Sequence, residues 1–225
     1  DYLVKNSFGP LKFILKTGCS MGDIYTDADF RRNQDGKIYL DANGNVSVEN
    51  FADGEFKKIG SVLPDYNLGW KNDISYKNFN LGGTITGRLG GLVVSMTEAA
   101  MDHYGVSKGS ADDRDAGGVL INGFRVNSQN YYDVRGKDRL PQYYTYSADN
   151  FRLQEAYLSY RIPKKVLNNF ADVTIGLTGR NLFMIYNKAP FDPETISSTG
   201  NYVQGLDYFM LPSLRSFGIN LKANF

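Results

Sequence analysis

The sequence has few of the residues on which disulfides, metal centres and histidine catalysis depend. It contains one cysteine, Cys19, one histidine, His103, and one tryptophan in 225 residues. A single cysteine excludes an internal disulfide, and a single histidine excludes a histidine pair at a metal ion. His103 follows Asp102 in a segment that resembles a loop helix, which does not indicate a catalytic triad. The sequence therefore predicts no enzyme, no metal site and no cofactor.

The chain also lacks a charge excess and a long apolar run. Lysine and arginine total 25 against 24 aspartate and glutamate residues, so no global field attracts nucleic acid. No run approaches 18 apolar residues, which excludes a transmembrane helix. It does not exclude a transmembrane β-barrel, whose strands alternate between apolar and polar residues. The chain starts without Met or a signal segment, which we interpret as a mature chain or a fragment.

What the chain does contain is glycine (24), tyrosine (16) and phenylalanine (14), a composition that favours strands and turns. Apolar residues recur with period two in several segments, each of which predicts a strand. The six segments are 11–16, 56–63, 70–85, 151–162, 172–178 and 217–225. The parity of the apolar positions changes between Leu153 and Ala156, which predicts a β-bulge near Gln154 or Glu155.

The connections between these strands alternate in length. Those at 64–69 and 163–171 are short, whereas those at 26–54, 89–148 and 187–212 are long and polar. Compact soluble domains seldom carry such loops, but short periplasmic turns and long extracellular loops are typical of outer-membrane barrels. Six strands are too few to close such a barrel, for which about eight is the minimum. The pattern therefore predicts an all-β chain that forms the last six or so antiparallel strands of a larger transmembrane barrel.

Shorter motifs lie within the long connections. TEAAMDHYG predicts a helix with Thr97 as its N-cap and Gly105 just past its end. FDPE (191–194) predicts a proline-braced turn that carries Asp192 and Glu194.

Several blocks in one order resemble the SusC/RagA-type TonB-dependent outer-membrane receptors. They are SMGDIYTDADFRRNQDGKIYLD (20–41), KKIGSVLPDYNLGWKNDISYKNF (57–79), GGVLING (117–123), RLQEAYLSYRIPKK (152–165), GRNLFMIYNKAPFDPE (179–194) and LPSLRSFGINLKANF (211–225). Because the blocks cover nearly the whole chain in order, they are more specific than any single motif.

The resemblance implies a role that the strand pattern alone does not. Such receptors are 22-stranded barrels with an N-terminal plug, and they import glycans or peptides with energy relayed by TonB. A SusD-like surface lipoprotein covers their extracellular loops. Residues 1–225 would be the C-terminal part of the barrel, without the plug, in the outer membrane of a Gram-negative, Bacteroidetes-like bacterium.

Two sets of candidate site residues follow. The resemblance implies that the last strand, with its terminal aromatic, is the signal read by the outer-membrane insertion machinery, although Ala223 departs from the usual pattern. The residues of this signal are Phe217, Ile219, Leu221 and Phe225. Tyrosines in the long loops are candidate contacts to substrate or lipoprotein because exposed tyrosine is favoured at interfaces. They are Tyr131, Tyr132, Tyr202 and Tyr208.

Two other classes of protein fit parts of the pattern. One is a secreted β-sandwich that binds carbohydrate or protein through tyrosine-rich loops. The other is a passive, porin-like barrel without TonB coupling, and an N-terminal plug is the feature that would distinguish it from an importer.

Overall fold

A computed structural model of the chain describes residues 2–136, 140–168, 170–197, 200 and 203–224. Its strands are Tyr2–Phe8 (β1), Leu11–Lys16 (β2), Asp23–Thr26 (β3), Ala28–Phe30 (β4), Val48–Asn50 (β5), Lys57–Ser61 (β6), Tyr66–Tyr76 (β7), Phe79–Leu89 (β8), Leu92–Ser95 (β9), Val119–Ile121 (β10), Phe124–Val126 (β11), Thr145–Ser147 (β12), Asn150–Ile162 (β13), Asp172–Asn187 (β14), Leu206–Asp207 (β15) and Ser216–Asn224 (β16). The α-helices are Met96–His103 (α1), Lys108–Asp115 (α2) and Ser128–Arg135 (α3), and 3₁₀ turns span Pro141–Tyr144 and Lys164–Leu167.

Strands outweigh helices in the described residues as a whole, so the all-β prediction is confirmed. None of the helices in the described ranges combines the length and the apolar character that crossing a bilayer requires.

The chain divides into two compact units. The first, which we call the sheet unit, comprises Pro64–Gly90, Ala148–Glu194 and Leu211–Phe225. The second, the mixed unit, comprises Asp1–Leu63, Gly91–Ser147 and Thr195–Met210. The mixed unit thus takes most of the two long connections that leave the sheet unit.

The sheet unit is one antiparallel sheet with the strand order β16-β14-β13-β8-β7. Its two short connections are Lys77-Asn78 and residues 163–171, and its long ones run from Gly90 to Asp149 and from Lys188 to Arg215. The prediction of a single strand over 70–85 is therefore wrong, because the chain reverses at Lys77, whose φ is +53°. The reversal explains the change of parity, since Trp70 pairs with Ile85 and Ile74 with Leu81.

The predicted bulge is confirmed in β13. The register of β13 shifts between Leu153 and Glu155 against both of its neighbours, which leaves Gln154 without a partner position. One extra residue moves every later side chain to the opposite parity. Leu153 and Ala156 consequently lie on the same face of the sheet, although they are three residues apart.

The mixed unit holds the buried cores. β1, β2, β3 and β6 form one sheet, β12, β9 and β15 a second, and the pairs β4-β5 and β10-β11 are small ribbons. The predicted strands 11–16 and 56–63 lie here rather than in the five-stranded sheet. Leu11 and Phe13 are almost fully buried, in contact with a cluster that includes Ile24 and Val94. The alternation of apolar residues in this strand therefore reflects packing against a buried protein core and not contact with lipid.

The predicted helix is confirmed as α1, but its N-cap is Ser95 and not Thr97. The Ser95 hydroxyl accepts the Glu98 N–H at 3.1 Å and donates to Asp207 at 2.8 Å. The Thr97 hydroxyl instead accepts the N–H of Phe209. Gly105 follows the helix with φ +68°, as its predicted position requires.

Deletion of Gln154 should disrupt the sheet unit because it puts Phe151 and Leu153 on the polar face. We expect the deletion to abolish the folded, heat-resistant form of the whole protein in detergent, as detected by its electrophoretic mobility before and after heating. Gln154→Ala keeps the bulge and should melt within a few degrees of the wild type. Equal melting of the deletion and the substitution would show that the bulge does not set the register.

Candidate functional site: a sheet with two unlike faces

The apolar side chains of the sheet unit form one surface because directly paired residues of antiparallel strands share a face. Two complete rows of partners cross all five strands. The first row is Ile74, Leu81, Leu158, Leu177 and Ile219, and the second is Tyr76, Phe79, Tyr160, Ile175 and Leu221. The alternation seen separately in each strand thus adds up to a continuous apolar face.

This apolar face is exposed. The exposed fractions of the ten side chains run from 37% at Tyr160 to 81% at Ile219. Soluble monomers rarely expose a contiguous apolar patch of this extent, whereas strands that meet lipid do so on their outer side. Full removal of each side chain from water contributes about 1.5–3 kcal/mol. A non-aqueous environment for this face is therefore strongly favoured.

The segment predicted as an insertion signal lies at the end of this surface. Phe217, Ile219 and Leu221 are on β16, the terminal strand in the order of the sheet, and all three are exposed. Phe225 lies outside the described residues. The placement is compatible with the predicted signal, which stays a prediction.

The opposite face of the sheet is polar. Its two central rows are Asp73, Gly82, Tyr157, Thr178 and Gly218, and Ser75, Asn80, Ser159, Gly176 and Asn220. An ion pair joins Arg180 Nε to Glu155 Oε2 at 3.2 Å across neighbouring strands. The small residues leave a depression of about 360 Å³, whose lining includes Glu155, Tyr157, Arg180, Asn220 and Lys222.

Gly82 determines how Tyr157 lies on this polar face. A Cβ atom at Gly82 would be 2.5 Å from the Tyr157 ring, which is closer than side chains tolerate. The ring therefore lies across β8, and its hydroxyl donates to Asp73 on β7. One tyrosine thus links three strands on the polar side.

A buried ion cluster ties a long connection to the sheet unit. The Arg152 side chain is 5% exposed, and its Nη2 lies 2.6 Å from Asp192 Oδ1. Its Nη1 lies 3.4 Å from Glu194 Oε2. Asp192 also accepts the Ser213 hydroxyl and the Glu194 N–H. Both ends of the 188–215 connection therefore meet at Asp192, which Arg152 holds to the sheet, and we call these four residues the Arg152 clamp.

The clamp sets the protonation of Asp192. Burial by itself raises the pKa of this carboxyl, but the hydrogen bonds from Ser213, Arg152 and the Glu194 N–H outweigh it and hold the pKa below its usual range. The predicted proline-braced turn is confirmed, since residues 193–194 form a turn, Pro193 is fully buried and the Glu194 N–H donates to Asp192. No local pattern in the sequence singles out Arg152, which lies 40 positions from Asp192.

The loop tyrosines occupy unlike environments in the mixed unit. Tyr132 is 6% exposed, and its hydroxyl donates to Asp113 at 2.6 Å. Burial, followed by this hydrogen bond, raises the pKa of Tyr132. Tyr131 is partly buried and stacks on Phe30, whereas Tyr208 is 51% exposed. Tyr202 lies outside the described residues.

Comparison with known proteins places these features in context. No model of a protein family matches the chain. TonB-dependent receptor P3 of Formosa agariphila is 26% identical over 199 residues, which cover 83% of this chain and 19% of the receptor. TonB-dependent receptor P26 of the same organism is 25% identical over 211 residues, or 84% of this chain and 20% of that receptor.

Solved structures show the same fold. The RagAB peptide importer in its open-open state aligns over 96% of this chain and 26% of the importer chain, with a TM-score of 0.58 and 14% identity. This chain spans about a fifth of the length of the curated receptors it matches. The resemblance to a region of the SusC/RagA-type TonB-dependent receptors is confirmed by both comparisons.

Loss of the Arg152 side chain should be costly because it removes the cation that pairs with Asp192, whose side chain is only 11% exposed. We expect Arg152→Ala to destabilise the whole protein by about 3–5 kcal/mol, measured as the loss of the heat-resistant form in detergent. Arg180→Ala is the matched control, since the Arg180–Glu155 pair is largely exposed and such pairs contribute about 0–1 kcal/mol. Similar losses in the two variants would contradict a special role for the clamp.

The clamp should also make the free energy of unfolding depend on pH. Because the pKa of Asp192 is lowered in the folded state, its stabilisation is complete above the unfolded-state pKa of about 4. It is lost as the pH falls through the folded-state value. The melting temperatures of the wild type and Asp192→Asn should therefore differ at pH 7 and converge below about pH 4. Asp35→Asn, in an exposed loop, should change little at either pH, and a pH-independent gap for Asp192→Asn would refute the assignment.

Proposed function

We propose that this chain is part of an outer-membrane, TonB-dependent importer of glycans, peptides or similar oligomeric nutrients. The observation that carries the proposal is the five-stranded sheet whose apolar face is continuous and exposed while its other face is polar and charged. A wall between lipid and an aqueous lumen needs these two faces. The chain would supply the wall, and energy coupling would depend on parts of the protein outside these residues.

The lengths of the connections indicate which end of the sheet faces the outside of the cell. The two described short turns, at Lys77-Asn78 and 163–171, leave one end of the sheet, and the two long connections leave the other. In barrels of this class short turns face the periplasm and long loops face outward. We therefore assign the long connections to the extracellular side.

Partners follow from this orientation. The solved relative is described as RagAB, a peptide importer, which supports a SusD-like surface lipoprotein as the partner of the extracellular loops. TonB would act through the plug. Phe217, Ile219 and Leu221, with Phe225, are proposed as the signal for the insertion machinery. Of the candidate tyrosines that the structure describes, Tyr208 is the most exposed, and we propose it as a contact to substrate or lipoprotein.

The other classes fit less well. A β-sandwich covers the apolar face of each sheet with a second sheet, but the apolar face here is open, with Ile219 81% exposed. The relatives are named receptors and importers, which supports transport over catalysis. A passive barrel would differ from an importer in lacking the plug and in needing no energy.

Energy-dependent uptake by intact cells tests the proposal. We expect a strain that lacks the gene to lose uptake of a labelled oligosaccharide or oligopeptide, and the restored gene to return it. An uncoupler of the proton gradient should stop the restored uptake, because TonB relays that energy. Uptake that resists the uncoupler would favour the passive barrel. Recovery of the protein in the soluble fraction without detergent would reject the membrane role altogether.

A further inference from the structure

The sheet unit carries its excess positive charge at one end. The end with the short turns holds five cationic side chains and one carboxylate: Lys77, Arg161, Lys164, Lys165 and Lys222 against Asp172. The rest of the unit is balanced, with six of each sign: Lys71, Arg88, Arg152, Arg180, Lys188 and Arg215 against Asp65, Asp73, Asp149, Glu155, Asp192 and Glu194. The sheet unit therefore has a basic end, although the formal net charge of the whole chain is only +1.

The 163–171 connection presents basic and apolar side chains together. Its 3₁₀ turn is closed by the Val166 N–H, which donates to the Pro163 carbonyl at 2.9 Å, and Asn168 reverses the chain with φ +52°. Lys164 and Lys165 lie on this turn. Val166 is 69% exposed and Phe170 is 72% exposed. Exposure of two large apolar side chains to water in so short a turn is unfavourable, which indicates that they meet an apolar environment.

The hairpin turn repeats this combination. Lys77 Nζ lies 5.2 Å from the centre of the Tyr76 ring, and Tyr76 is 67% exposed. The next rings along the same row, Phe79 and Tyr160, are in contact with centroids 4.6 Å apart. Aromatic rings at the edge of an apolar band are typical of the interface between lipid and water.

Asp172, the one acidic side chain among the described residues at this end, does not neutralise it. Asp172 is 2.9 Å from Arg161 Nη2 and 3.9 Å from Lys164 Nζ, so it is shared between two cations. Within the described ranges, Lys77 and Lys165 have no carboxylate partner. Their ammonium groups are exposed and available to an anion.

We propose that this basic end binds the phosphate groups of anionic phospholipids in the adjoining leaflet. Lys77, Lys164 and Lys165 would contact the headgroups, while Val166 and Phe170 enter the boundary of the acyl chains. The proposal rests on the proposed function, because the apolar face must meet lipid for headgroups to lie at this height. Charge complementarity favours an anionic lipid, and the adjacent apolar side chains favour a lipid over a soluble anion.

Native mass spectrometry of the whole protein in neutral detergent tests the proposal. Phosphatidylglycerol is the anionic probe, and phosphatidylcholine is the zwitterionic one. The wild type should retain phosphatidylglycerol preferentially, and retention should fall as salt is raised. Lys77→Gln/Lys164→Gln/Lys165→Gln should weaken phosphatidylglycerol binding at least about tenfold, since each lysine near an anionic surface contributes a few-fold.

Two matched variants guard against indirect effects. Lys71→Gln/Lys188→Gln/Arg215→Gln removes the same charge from the balanced part of the sheet unit and should bind phosphatidylglycerol like the wild type. Lys77→Arg/Lys164→Arg/Lys165→Arg keeps the charge and should also bind. Inorganic phosphate at millimolar concentration should not displace the lipid.

Three outcomes would overturn the proposal. They are equal retention of the two lipids by the wild type, equal losses in the two glutamine variants, and displacement by inorganic phosphate, which would indicate a site for a soluble anion. These outcomes are distinct from failure of the proposed function. A protein that imports its nutrient in intact cells but shows no preference for anionic lipid refutes only this inference.

Discussion

The alternation of side chains across five paired strands is the constraint on which the rest of the structure depends. A slip of one residue in any strand would exchange its apolar and polar faces. Two local features preserve the pairing where the sequence would otherwise break it. The reversal at Lys77 brings Ile74 opposite Leu81, and the extra residue Gln154 brings Leu153 and Ala156 to one face. Both features serve to keep the apolar face continuous.

The Arg152 clamp extends this order from the sheet to its connections. A long polar loop has little apolar surface with which to fix itself, so charge and hydrogen bonds take that role. Arg152 meets Asp192 from one end of the 188–215 connection, and Ser213 from the other end shares that carboxylate. Because the arginine is buried, the cluster stabilises the fold only when all of its partners are present.

Period-two patterns predicted the strands at 151–162, 172–178 and 217–225, the bulge and the long connections at 89–148 and 187–212 because these features are local. The turn at Lys77-Asn78 escaped detection since neither glycine nor proline marks it. The strands at 11–16 and 56–63 were assigned to the wrong sheet, because alternation looks the same whether the apolar side meets lipid or a protein core. The partners of Arg152 and the burial of Tyr132 depend on contacts between distant residues, which no local pattern contains. The resemblance to a receptor family supplied what the pattern lacked, namely the expectation of a plug and of TonB-driven import.

The central claim is that the sheet unit separates lipid from water, and spin labels along β14 test it most directly. With Cys19 replaced by serine, single cysteines at 174–178 of the whole protein in lipid bilayers would carry the label. The account predicts that labels at Ile175 and Leu177 collide mainly with oxygen, which concentrates in lipid. Labels at Thr174, Gly176 and Thr178 should collide mainly with a water-soluble nickel complex. Equal access of the nickel complex to all five positions would contradict the account.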